Sequence, residues 1–177
     1  MISESFNDFF VSIGKRLLQN APNSHKKFHD FLHGPNSETC FMSPITEKEV
    51  YDIITNLRVN KSPGYDGLTN KLLKEIINFI IKPLTHILNL SIVNGIVPSR
   101  MKIAKVVPIF KKGDPHEVGN YRPISLLTAF SKILEKLIYA RVIKFLKSCK
   151  ILTPAQFGFR EKHTTSHAIL HFIDKGK

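Results

Sequence analysis

The sequence predicts an α+β fold, mostly helical, with one small antiparallel sheet. Three observations predict it. Apolar residues recur at three- and four-residue steps over several long stretches, the spacing of amphipathic helices. Helix-start signals precede such stretches, as in Thr46-x-x-Glu49 before Val50. In the middle, the run Val106-Val107-Pro108-Ile109-Phe110 enters a Lys111-Lys112-Gly113-Asp114 turn. A second short run, Asn120-Tyr121-Arg122-Pro123-Ile124-Ser125-Leu126-Leu127, then returns. Two extended segments joined by a polar loop are expected there.

In chain order, Phe6, Phe9, Phe10, Ile13 and Leu17 predict a first amphipathic helix. Residues 20–44, with Pro22, Gly34 and Pro35, read as a loop. The Thr46/Glu49 capping box opens a helix through Val50, Ile53, Ile54 and Leu57. Asn60 to Gly67 is dense in turn formers and reads as a fixed loop. Helices resume at Thr69 with Leu72, Leu73, Ile76, Ile77 and Ile80 inward. Pro83 is expected to start a further helix carrying Leu84, Ile87, Leu88 and Ile92, with Gly95 as its stop. After the paired strands, a long helix is expected from Phe130 to Lys147. Its apolar face is Phe130, Ile133, Leu134, Leu137, Ile138, Val142 and Phe145; its other side carries Lys132, Lys136, Lys144 and Lys147. Gln156 to Arg160 is a glycine-centred turn or strand, and a last helix starts near Thr164 or Thr165.

The 177 residues carry a net charge of +12, unevenly placed. Residues 1–60 hold six Lys/Arg against seven Asp/Glu; residues 61–177 hold twenty against seven. That asymmetry points the second part toward a polyanion, nucleic acid before a membrane surface. Cys40 and Cys149 stand far apart, forming neither a metal-type pair nor a disulfide framework, so a reducing, intracellular setting is expected, nuclear or cytoplasmic. Met1 to Phe10 has no basic n-region of a signal peptide. The most apolar stretch, Ile76 to Val97, is interrupted by Lys82, Pro83, His86 and Asn89, so no membrane span is expected.

The chemistry-bearing residues cluster. Lys111, Lys112 and Arg122 meet around the central turn, with only Asp114 and Glu117 nearby to neutralise them. Lysine offers a point charge and arginine a planar fork, a set suited to polyphosphate or a nucleic-acid backbone, although a solvated hairpin tip would carry the same lysines. Lys61, Ser62 and Gly64 offer a cation and loop N–H groups, without the Gly-Lys-Ser/Thr ending of a nucleotide-hydrolysing P-loop; a rigid inter-helix turn would look the same. In Gln156-Phe157-Gly158-Phe159-Arg160, aromatic rings beside a cation suit base stacking, whereas strand alternation would send both rings into a core. Two histidine triplets, His25/His29/His33 and His163/His167/His171, stand at steps of four that would align each on a helix face. No cysteine or acid completes either at metal-site spacing, so no metal ligand is assigned. The seven acids of residues 61–177 form no close pair able to hold two divalent ions, and no catalytic residue is assigned.

Four ordered segments carry a family resemblance. Lys105 to Asp114 followed by Asn120 to Leu126 resembles the fingers region of non-LTR (LINE, jockey-like) retrotransposon reverse transcriptases. Lys61-Ser62-Pro63-Gly64-Tyr65-Asp66-Gly67 is similar to that family's Lys-Ser-Pro-Gly-x-Asp-Gly signature. Gln156 to Arg160 with Thr164, Thr165 and Ala168 is similar to its Gln-x-Gly-Phe-Arg segment. Phe6 to Phe10 and Ser43 to Val50 resemble the linker before the polymerase. The chain departs from the family in lacking Trp, with Met101 near the place where members often carry one.

The resemblance implies residues 1–60 as a helical linker and N-terminal extension. Residues 61–177 would be the fingers subdomain of a right-hand polymerase, truncated before the palm. It implies that Lys111 or Lys112 with Arg122 contacts the triphosphate of an incoming dNTP. Lys61, Ser62, Gly64, Gln156, Phe157, Gly158 and Arg160 would lie along the template. The implied partners are an RNA template, an RNA–DNA hybrid, dNTP and the missing palm and thumb, with Mg2+ serving the full-length enzyme and none held by this chain. The family's catalytic Asp residues are expected beyond Lys177, so the chain alone is expected to be inactive. A non-catalytic RNA-binding module, or an inert fragment derived from such an element, is the alternative.

Overall fold

A computed structural model describes residues 2–19, 21, 26–27, 30 and 37–175. The first histidine triplet, His25, His29 and His33, and most of the 20–44 loop lie outside the described residues. The chain forms two compact units, one of Met1–Ser37 with Pro44–Leu137, the other of Glu38–Ser43 with Ile138–Lys177.

In the first unit, α1 spans Ile2–Gln19, α2 Glu47–Thr55 and α3 Asn70–Asn94. A two-stranded sheet follows, β1 (Ala104–Phe110) with β2 (Tyr121–Leu127), and α4 (Ala129–Ser148) begins here and continues into the second unit. The ends of these elements are chemically set. Thr46 Oγ1 accepts from Glu49 N at 3.2 Å while Glu49 Oε2 accepts from Thr46 N at 2.8 Å, the reciprocal capping box the sequence predicts. Thr69 caps α3 through Leu72 N, and Gly95 ends it at φ +64°, a conformation that favours glycine. Lys74 Nζ donates to Thr55 O at 2.6 Å, placing a cation on the C-terminal end of α2.

The core of this unit comes from α2 and the turn after it, α3 and α4: Val50, Ile54 and Leu57; Leu73, Ile77, Leu84 and Leu88; Ile133, Leu134 and Leu137; α1 contributes no buried residue. Asn89 grips the backbone of Ile45 at both ends, accepting from its N–H at 2.7 Å and donating to its carbonyl at 2.9 Å. That pairing satisfies an otherwise strandless segment against α3.

Two expectations about α3 are corrected. Pro83 starts no new helix but lies inside one continuous helix. The hydrogen bond it cannot make would have gone to the carbonyl of Phe79, on the helix's exposed side where water can serve instead. Leu72 and Ile87 are exposed rather than inward, because each is one residue, about 100°, off the buried Leu73–Leu88 stripe. By length and composition α3 could cross a membrane, with a mean hydropathy of 1.6 over its most apolar 18 residues and 28% of that window buried. Its buried stripe packs in the core of the first unit.

In the second unit, α4 runs on to Ser148 and α5 spans Thr165–Lys175. Arg141, 8% exposed, donates from Nε to the Ser43 carbonyl at 2.7 Å and so ties the 38–43 segment to α4. Cys40 and Cys149 are free thiols.

Gly64 approaches the junction of β2 and α4 closely, backbone to backbone. A Cβ on Gly64 would stand 2.7 Å from Thr128 N, 2.8 Å from Thr128 Cα and 2.9 Å from Leu127 C, all backbone atoms. Gly64→Ala is therefore expected to destabilise the fold by about 1–3 kcal/mol, the usual range for overpacking. Gly158→Ala, where nothing lies within 4 Å, should be near neutral. Chemical denaturation of the two variants checks this; equal stability would contradict the close approach.

Candidate nucleic-acid interface

The ribbon's register decides what each face carries. Ala104 pairs Leu127, Val106 pairs Ser125, Pro108 pairs Pro123 and Phe110 pairs Tyr121 on one face. Lys105–Leu126, Val107–Ile124 and Ile109–Arg122 occupy the other. α1 meets the first face at one end, where the Phe6 and Tyr121 rings meet edge-on at 4.8 Å and Phe110 and Tyr121 at 5.4 Å, and a cavity of ≈ 790 Å³ lies between α1 and Ala104, Val106, Pro108 and Pro123. The second face looks onto the loop that Gly64 anchors. Between them lies a groove of ≈ 570 Å³ lined by Ser62, Pro63, Gly64, Tyr65 and Gly67 on one side and Lys105, Val107, Ile109, Ile124 and Leu126 on the other. Tyr65 Oη donates to the Arg100 carbonyl at 2.9 Å, pinning the loop's far end.

Thus Arg122 stands on the groove face, and the sequence-nominated Ser62 and Gly64 are brought to the same groove. Lys111 extends the ribbon by one more pair, its N–H donating to the Asn120 carbonyl at 2.9 Å. By strand alternation it falls on Arg122's side. Lys111, Lys112 and Arg122 are all exposed. The turn beyond is braced. Asn120 Nδ2 donates to the Asp114 carbonyl at 3.0 Å, and Gly113, at φ +97°, leaves room for that amide. Asp114 does not pair with the lysines. Its Oδ1 accepts from His116 N at 2.9 Å and meets His116 Nδ1 at 3.0 Å. The backbone hydrogen bond from His116, and then its ring, hold the Asp114 carboxyl below its ordinary 3.8.

A second groove, also ≈ 570 Å³, shares Ser62 with the first. Arg58, Lys61, Lys132 and Lys136 line it, with Asn56, Leu57, Asn70 and Leu126. Lys61 was nominated by its place in the glycine loop. Arg58, Lys132 and Lys136 were not, because Arg58 follows α2 while Lys132 and Lys136 lie one turn apart on α4, and only packing brings the two places together. The alternation of apolar and basic residues along 130–147 was the available signal.

In the second unit, Gln156 to Arg160 is a turn, not a strand, so its two phenylalanines diverge. Phe157 is half-buried, its ring 5.7 Å from that of His163 and 5.3 Å from that of His171. Phe159, at φ +59°, is 99% exposed. Arg160 Nη1 donates to the Thr153 and Gln156 carbonyls at 3.1 and 3.3 Å, so the guanidinium braces the turn. His163 precedes α5, so the expected alignment of His163, His167 and His171 on one helix face does not form. Among the described residues no group of three or more His, Cys, Asp or Glu could hold a metal ion. The Mg2+ that the family resemblance implies thus has no carboxylate cluster here to hold it, and no metal-dependent step is assigned to this chain.

The ribbon thus presents exposed cations at its tip, and a groove beside it is lined by four more. No family model matches the sequence. Among curated proteins, it is 36% identical over 155 residues to a probable RNA-directed DNA polymerase from transposon BS of Drosophila melanogaster, covering 82% of this chain and 17% of that protein. It is 32% identical over 151 residues to the RNA-directed DNA polymerase from mobile element jockey of Drosophila melanogaster, covering 83% and 16%. Against the jockey polymerase of Drosophila funebris it is 31% identical over 162 residues, covering 89% and 18%. The chain is therefore related, over most of its own length, to the RNA-directed DNA polymerases of jockey-type non-LTR retrotransposons. It spans less than a fifth of the length of these relatives.

The Asp114–His116 pairing has a pH signature. A carboxyl whose folded pKa is lowered stabilises the folded turn above its ordinary pKa, and that contribution is lost as pH falls through the lowered value. The Asp114 side-chain carbon resonance is expected to titrate below 3.8 in the wild-type chain and to move back toward 3.8 in His116→Ala. A wild-type midpoint at or above that value would contradict the pairing.

Proposed function

We propose that this chain is the fingers portion of an RNA-directed DNA polymerase, preceded at residues 1–60 by a helical linker. In this reading Lys111 or Lys112, with Arg122, contacts the triphosphate of an incoming dNTP. Lys61, Ser62 and Gly64, and separately Gln156, Phe157, Gly158 and Arg160, lie along an RNA template or RNA–DNA hybrid. Mg2+ belongs to the whole polymerase, together with its palm and thumb.

One observation carries the reading: the register puts Arg122, exposed, on the face away from α1 and on the same side as Lys111 at the ribbon tip. The strand fixes the backbone that carries Arg122, and its planar fork can grip two oxygens of one phosphate. Lys111 and Lys112 at the adjoining tip add charge that a polyphosphate would neutralise, and Asp114 is occupied by His116. Positive charge at that place would stabilise the negative charge that develops on a leaving pyrophosphate. A non-catalytic RNA-binding module would use the same residues, and the second basic groove favours it equally, since that groove needs no reacting group.

Salt-titrated binding of the 177-residue chain to a short RNA–DNA hybrid tests the proposal. The expected result is salt-sensitive binding, with Arg122→Ala weaker than wild type and Lys111→Ala/Lys112→Ala lowering the salt slope by about 1–2 units. Binding indifferent to both variants would remove the ribbon from the interface.

A further inference from the structure

We propose that the groove lined by Arg58, Lys61, Lys132 and Lys136 is a track for the sugar-phosphate backbone of single-stranded RNA, leading to the groove beneath the ribbon. The inference rests on the nucleic-acid reading above and extends it to three residues, Arg58, Lys132 and Lys136, that no motif nominates.

The first argument is the absence of counter-charge. The groove's lining holds four cations and no carboxylate. Among the described residues none of the four forms an ion pair; Lys48, by contrast, pairs with Asp52 at 3.4 Å. Lys132 is half-buried in this state. Four like charges lining one groove without a counter-ion repel one another, and an anion entering the groove would relieve that repulsion.

The second argument is helix position. Lys132 lies in the first turn of α4 and Lys136 one turn further, with no acidic residue in that first turn. Helix N-termini favour negative charge, so the placement works against the helix dipole. The dipole acts on Lys132 and fades before Lys136, so a phosphate held by Lys132 would offset an unfavourable placement.

The third argument is shape and fixity. Asn70 Nδ2 donates to the Arg58 carbonyl at 2.8 Å, which fixes the backbone that carries the guanidinium. Leu57 and Leu126 line the groove beside the cations and suit sugar carbons. The groove is an open cleft of ≈ 570 Å³. Ser62 and Leu126 line both grooves, so a strand lying in one continues into the other.

The test is fluorescence anisotropy of a labelled single-stranded RNA of mixed sequence against the full chain, over a range of salt. Arg58→Gln/Lys132→Gln/Lys136→Gln keeps the stems and removes three charges. It is expected to lower the salt slope by about 2 units, from roughly 0.7 per lost contact. Lys48→Gln should leave the slope unchanged, and Lys132→Arg/Lys136→Arg should retain it. A second readout needs no variant: RNA should protect Lys132 and Lys136, but not Lys48, from acylation measured by mass spectrometry. If the wild type binds RNA but the triple variant keeps its slope and Lys132 and Lys136 stay reactive, the track is wrong while the ribbon proposal stands. If the wild type binds no RNA at any salt, both fall. Tighter binding to phosphatidylserine vesicles than to RNA, lost in the triple variant, would overturn the track in favour of a membrane surface.

Discussion

The backbone of Gly64 against the backbone of Thr128 is the constraint on which the basic surface depends. Thr128 is the single residue between β2 and α4 and caps the helix, with Oγ1 accepting from Ser131 N at 3.2 Å. Ser131 Oγ donates to the Met101 carbonyl at 2.7 Å, so the chain entering β1 is tied to the same point. Thr128 and Ser131 are both 4% exposed, and their hydroxyls lie 2.7 Å apart. A loop, two strands and a helix therefore share one desolvated junction. Buried hydroxyls without partners would cost roughly 1–3 kcal/mol each. Their mutual pairing lets the junction be polar, small and tight, and tightness is what brings Ser62 and Lys61 beside β2.

The electrostatics follow from that geometry. The ribbon and the start of α4 collect cations, and two acids of the adjoining turns are held by local bonds. Asp114 is held by His116, and Asp66 Oδ1 accepts from Leu68 N at 3.2 Å within its own turn. Self-repulsion of this kind lowers folding stability and raises the association rate of an oppositely charged partner. The apolar stripes of α2, α3 and α4 bear the stability, and the polar rim is free to be unbalanced.

Where a signal is local, the sequence carried it. The capping box at Thr46 and Glu49, the Thr69 cap, the Gly95 stop and the paired strands all depend on residues within a few positions of one another. Pro83 misled because its penalty depends on which side of the helix faces water, and that is a tertiary fact. Leu72 and Ile87 misled because α3 is apolar nearly all round, so periodicity could not choose the inward stripe. The turn at Gly158 depends on Phe159 taking a left-handed conformation, which a bulky side chain seldom announces. Arg58 was hidden by the weakly acidic balance of residues 1–60, and its meeting with Lys132 and Lys136 exists only after packing.

The antiparallel register of the ribbon bears on what kind of change this segment can absorb over generations. Inserting or deleting one residue within β2 would exchange its faces, sending Arg122 toward Phe6 and Phe10 and turning Tyr121 to the open groove. A change of two residues would restore the faces but carry the guanidinium about 7 Å along the strand. Point substitutions at the groove can therefore accumulate and be tested one at a time, while length changes in the strands rearrange every position together. Lineages descending from such a chain should drift in side chains and hold the strand lengths fixed.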